Sequence, residues 1–292
     1  MPAFFPTKTP TFSASILAGL LLAWLLTGAV RAQSPAEAAT PLSPELIFME
    51  LKSKVLVFAQ DSLVGKRRAA NHRFVQDLGR LIKSGKSWNL PWNELAPVSV
   101  LLSPDGKWRI MTWSVVLEQN ARRNYGCLFN QKGILFPLID QQANQFENEE
   151  SYSNKQWPGA VYYSLLPLQG NYRGLSCFAV LGLDAREPFS QRKVVDWICP
   201  DMQGEVATVG APLISYKGQK LCRFQLNYPR DVQAQLFWDK DLSALVFDHL
   251  IPRGGDPASA HFDFIPDGSF DGLVWKDGLL HFQEMADYQP AK

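Results

Sequence analysis

The sequence predicts a mainly β protein, an antiparallel sandwich or irregular barrel, with an N-terminal α-helical region. A small or degenerate β-propeller is the alternative, since about 190 residues allow roughly four blades of the usual size. Three observations carry this expectation. Helical periodicity is confined to residues 43–96. From Pro97 to Glu284, short β-branched and aromatic runs alternate with Gly, Pro, Asp and Asn turns, and no helical period separates them, which argues against βαβ units. A hydrophobic content of 46%, with 9 Trp and 18 Phe, supplies a large core and excludes a mostly disordered chain.

Residues 1–32 read as a secretory signal peptide. Lys8 precedes the uncharged apolar run Ile16 to Val30, and Val30-Arg31-Ala32 places short residues at −3 and −1 of a cut before Gln33. The run is short of the roughly 20 apolar residues a bilayer span needs. The mature chain is therefore expected in the periplasm or secreted, without a membrane span. No cysteine follows the apolar run to carry a lipid. Gln33 to Leu42, rich in Ala, Pro, Ser and Thr, is a flexible leader.

Ser43-Pro44-Glu45 starts the first helix with a capping hydroxyl, a proline at the first position and an acid in the first turn. Ile47, Leu51, Val55 and Phe58 follow at helical spacing, and Glu50 lies four residues before Lys54. A second helix is predicted over Ser62 to Ser84, stopped by Gly85, with Phe74, Leu78, Leu81 and Ile82 inward. Gly65 and Gly79 each oppose it by roughly 1 kcal/mol relative to alanine.

Residues 97–292 form the expected antiparallel domain. Its strands are Trp108–Glu118, Tyr125–Phe129, Gly133–Ile139, Val161–Leu168, Leu175–Leu183, Lys193–Ile198, Lys220–Asn227, Val232–Trp238, Ala244–Leu250, His261–Ile265, Phe270–Trp275 and Leu279–Phe282. The Gln-, Asn- and Glu-rich stretch Asp140–Gln156 reads as an exposed polar loop. Pro104-Asp-Gly-Lys-Trp108 and Pro266-Asp-Gly-Ser-Phe270 echo each other, each followed five residues after its aromatic by Trp113 or Trp275. In both, proline sets φ, aspartate bonds back to the backbone and glycine supplies positive φ.

Ser103-Pro-Asp-Gly-Lys107 resembles the Ser-Pro-Asp-Gly-Lys element of TolB-type propeller blades, where it opens an inner strand. More broadly the chain resembles a group of uncharacterised exported proteins of Bacteroidetes-like bacteria. That resemblance rests on Asp105–Trp113, Tyr162-Tyr163, Val246–Leu250 and Pro266–Asp271. It implies a bacterial source and export, and no activity.

Residues 1–32 carry Lys8 and Arg31 and no acid, which leaves 27 basic against 28 acidic residues in the mature chain. Such a near-neutral chain has no electrostatic reason to hold nucleic acid, and the one tight basic cluster, Lys66-Arg67-Arg68, reads as a solvated helix face. Cys127, Cys177, Cys199 and Cys222 allow three pairings, and each sits in an apolar run where a free thiol packs equally well. Their spacing excludes a CxxC zinc or redox site. Gly-x-Ser-x-Gly, His-Glu-x-x-His and phosphate- or dinucleotide-binding glycine loops are absent from the sequence.

The densest polar cluster is C-terminal, with Asp248, His249, His261, Asp263, Asp267, Ser269, Asp271 and His281. Histidine with carboxylate suits acid–base work or a transition metal. His249, His261, Asp263 and His281 are the catalytic candidates, set against turn-capping residues on a half-exposed sheet. Asp267, Ser269 and Asp271 resemble the first half of a Ca²⁺ loop, but Gly278 stands where the bidentate acid belongs. No other cofactor is implied. Trp157, in Gln156-Trp-Pro-Gly159 beside the polar loop, is expected at the surface as a glycan- or protein-contacting ring. The functional expectation is a non-catalytic exported protein that binds a protein or glycan of the cell envelope. An envelope hydrolase working through the C-terminal cluster is the alternative.

Overall fold

In the computed structural model, residues 43–118, 121–141, 147–203, 206–254, 263–285 and 288–289 are described. Residues 1–42, where a signal peptide and leader are expected, His261 and part of the polar loop lie outside the described residues. The Ser43 hydroxyl accepts from the Leu46 amide at 3.3 Å and opens helix α1, Pro44–Gln60. Helix α2 spans Val64–Lys83. The helices meet through Phe58 on Phe74, and Phe74 stands edge-on to Trp113 of the sheet below, with ring centroids 5.3 and 5.1 Å apart. No helix among the described residues is long and apolar enough to cross a membrane.

Below the helices lies an antiparallel meander of β1 (Ser99–Leu102), β2 (Trp108–Val116), β3 (Arg122–Asn130) and β4 (Leu135–Leu138). Strand alternation divides its side chains between two cores. Met111, Trp113, Val115, Cys127 and Phe129 pack with the helices, while Trp108, Ile110, Leu128, Phe136 and Leu138 pack on a second sheet.

That second sheet runs β5 (Tyr152–Ser153), β9 (Thr208–Val209), β8 (Ser190–Cys199), β7 (Leu175–Asp184), β6 (Val161–Tyr172), and β12 (Arg223–Pro229) also pairs with β8. It is covered on both faces, and Val194-Val-Asp-Trp-Ile-Cys199 is accordingly buried at every position. Val180, Val194 and Ile198 face the first sheet; Ala179, Leu181, Val195 and Trp197 face the third. The third sheet runs β11 (Gln219–Leu221), β10 (Ile214–Tyr216), β16 (Leu279–Glu284), β15 (Phe264–Lys276), β14 (Ala244–Pro252), β13 (Leu236–Asp239). Only β10 and β16 pair in parallel within it. Cys177 and Cys199 form a disulfide between β7 and β8, and Cys127 and Cys222 are free and buried.

The chain is thus mainly β, with open sheets stacked face to face beneath a helical layer. Among the described residues neither a barrel nor a propeller forms, because no sheet closes on itself and the sheets stack rather than radiate. The blade-like Ser103–Lys107 segment is the β1–β2 turn, in which Asp105 accepts from the Ser103 hydroxyl and the Lys107 amide. Its echo behaves differently. Asp267-Gly-Ser269 is a bulge inside β15, opposite His249, so the two predicted strands around it are one. Gly268 takes φ 92° there, which a residue with a Cβ rarely adopts. Lys220–Asn227 is instead split between β11 and β12.

Candidate functional site: a polar cleft beside the β15 bulge

The bulge brings part of the C-terminal cluster to a cleft of about 290 Å³, bounded by β10–β12 and the middle of β14 and β15. Phe224, Phe247 and Leu226 are its buried apolar side. Tyr216 lies between Phe224, tilted against it at 5.5 Å, and Phe282, edge-on at 4.8 Å, and Lys217 lies over Tyr216 and Phe282. The polar side comprises Asn148, Glu149, Gln219, Gln225, His249 and Asp271. The polar loop is fixed here by its backbone: Asn148 accepts from the Cys222 and Arg223 amides at 2.7 and 3.1 Å, and the Cys222 thiol donates to the Glu149 carbonyl.

Glu149, Asp248 and Asp271 are the acids of the cleft lining, and His249 pairs with Asp267 beside it. His249 Nδ1 lies 3.0 Å from Asp267, whose other oxygen accepts from the Ser269 amide and hydroxyl at 2.9 and 2.7 Å. The Ser269 donors, helped by His249, draw the Asp267 carboxyl down to about 2. Burial pushes the Asp271 carboxyl above its ordinary value, and the neighbouring His249 and Lys217 only partly oppose this. Asp248, also raised by burial, accepts from the Gln235 amide at 2.6 Å and faces Lys193. Asn148 Oδ1 is buried without a hydrogen-bond partner among the described residues, a condition that costs about 1–3 kcal/mol.

The structure therefore gathers His249, Asp267, Asp271 and Asp248, with Ser269 holding Asp267. Asp263 and His281 lie outside the cleft. Asp263 pairs with Arg253 at 2.9 Å. His281 follows the core residue Leu280 on β16 and pairs across the sheet with Val274, so alternation turns it to the opposite face from the cleft-side core. Among the described residues no group of three or more His, Cys, Asp or Glu is placed to hold a metal ion, and in the Ca²⁺-like segment one Asp267 oxygen is already taken by Ser269.

Trp157 corrects an expectation. It is 0% exposed, in the core between the first and second sheets, and its indole donates to the Tyr162 hydroxyl at 2.9 Å. Strand-edge aromatics cover a sheet, and here a second sheet covers the ring in turn, so no partner can reach it. Tyr162 donates onward to Asp196 at 2.5 Å, and Asp196 forms a buried ion pair with Arg223. A second chain of charges, Asp140–Arg186–Asp184–Arg192, lies nearby. Asp196 is the lone acid of the apolar run Val194–Cys199, and nothing local in the sequence marks its partners.

The whole chain was compared with protein-family models, curated proteins and solved structures, and none of them matches it.

Proposed function

We propose that this is an exported, non-catalytic protein that binds a glycan of the cell envelope, and that it does so in the cleft beside the β15 bulge. The observation that carries the reading is the cleft's chemistry. Planar hydrogen-bonding groups (Asn148, Glu149, Gln219, Gln225, Asp271) surround a cavity whose inner wall is aromatic. Sugars present hydroxyls in pairs and apolar ring faces, which such groups and rings complement. Asn148 carries an acceptor lacking a partner among the described residues, and a donor hydroxyl would relieve it. Export rests on the signal-like N-terminus. A protein partner is the less favoured ligand, because the cleft is concave and polar where a protein interface centres on an apolar, aromatic patch.

One observation favours the hydrolase alternative: Asp271, with its carboxyl raised by burial, shares the cleft with His249, as a general acid would. An oligosaccharide array followed by calorimetry separates the two. Binding without cleavage is expected, with Asp271→Asn weakening the best-bound sugar about tenfold, the loss of one charge-assisted hydrogen bond. Cleavage products that vanish in Asp271→Asn would establish the hydrolase, and an array without any binding would end both readings.

A further inference from the structure

A second cavity, of about 260 Å³, lies between α2 and the β3–β4 side of the first sheet. Its walls are apolar: Val75, Leu78 and Ile82 on the helix, Tyr125, Leu135 and Ile139 on the sheet side. Val75 and Ile139 are 43% and 42% exposed at its edge. An apolar cavity of about 150 Å³ already holds a benzene-sized molecule, so this one accommodates an aliphatic chain of moderate length.

Gly79 makes the cavity look built rather than left over. It sits well inside the 20-residue helix α2, where glycine costs about 1 kcal/mol relative to alanine. Neither conformation nor crowding requires it: its φ is not positive, and an added Cβ would meet only Leu135 Cδ2, at 4.0 Å. What the missing side chain provides is room in the cavity wall.

The polar end comprises Arg123, Asn124 and Asp140. Asp140 pairs with Arg186 at 2.7 Å and accepts from the Asn124 amide at 3.2 Å. Arg186 also pairs with Asp184, which pairs with Arg192. Arg123 belongs to none of these pairs, its guanidinium lying over the Tyr125 ring at 5.6 Å. The combination is an apolar slot with a cation at its mouth.

We propose that this cavity binds a medium-chain free fatty acid, with the alkyl chain between α2 and β4 and the carboxylate on Arg123. The site is separate from the glycan cleft and stands or falls without it. Calorimetry of the mature chain with decanoate, below its micellar concentration, tests it. Saturable one-to-one binding is expected. Gly79→Leu fills the slot and lowers affinity tenfold or more without lowering the melting temperature, because leucine favours the helix. Arg123→Gln weakens decanoate about tenfold and leaves binding of methyl decanoate unchanged, which identifies the free acid rather than an esterified acyl group as the ligand. Absence of saturable binding, equal affinity in Gly79→Leu, or methyl decanoate binding as tightly as decanoate would overturn the proposal.

Discussion

Trp157 and Asp271 are both buried, and their surroundings give them opposite roles. The indole of Trp157 has its one donor satisfied by Tyr162 and the rest of the ring in an apolar core. Trp157→Ala should therefore destabilise the fold by about 3–5 kcal/mol, read as a large drop in denaturant midpoint, and should leave sugar binding by the remaining folded protein unchanged. A near-native midpoint would place the ring at the surface after all. Asp271 is 6% exposed, yet its raised carboxyl and open-sided position put it in the cleft rather than in a satisfied network. Both residues were noticed in the sequence. Which one a ligand can reach was not legible there, because Trp157 is covered by the β1–β4 sheet, whose Thr112 hydroxyl accepts from the Tyr162 amide.

At the scale of elements, the helices were readable almost to their ends. A capping serine and a proline open α1, and the 3.6-residue apolar period marks both α1 and α2. The strands were readable where one face is apolar, and less so where tertiary pairing decides their limits. β15 runs through Pro266-Asp-Gly268 because β14 continues beside it, whereas β1, β5, β9 and β10 are too short to show a period. The ion chain that ties β3 and the Asp140 segment to β7 and β8 was invisible because its members are 44 or more residues apart on either side, apart from the local Asp184–Arg186 and Asp184–Arg192 contacts. Burial pushes the Asp184 carboxyl up, but Arg186 and Arg192 outweigh it and hold it below its ordinary value. A lowered folded pKa stabilises above the unfolded value, and that stability is lost as pH falls through the folded one. Asp184→Asn should therefore destabilise by about 3–5 kcal/mol at neutral pH. The gap to the parent should narrow as pH drops below about 4, in denaturant titrations across pH. A gap independent of pH would show that the carboxylate charge is not what holds these strands.

Among the described residues, three open sheets and a pair of helices stack so that the centre of the middle sheet is covered on both faces. The continuous apolar runs of β7 and β8 are the sequence trace of that middle layer. Stacking order left no such trace, since sandwich, barrel and propeller strands share one alternation. The same holds for the cleft. Its histidine and aspartates were legible as a cluster, but Tyr216, Lys217 and Asn148 join them only through the β10–β16 pairing and the anchoring of the polar loop on Cys222 and Arg223. The most direct test of the glycan reading is a nuclear magnetic resonance titration of the isotope-labelled mature chain with the best-bound sugar of an oligosaccharide array. The account predicts saturable shifts in Asn148, Tyr216, Lys217, His249 and Asp271, with the α2–β4 cavity unmoved. Shifts confined to residues outside this cleft would contradict it.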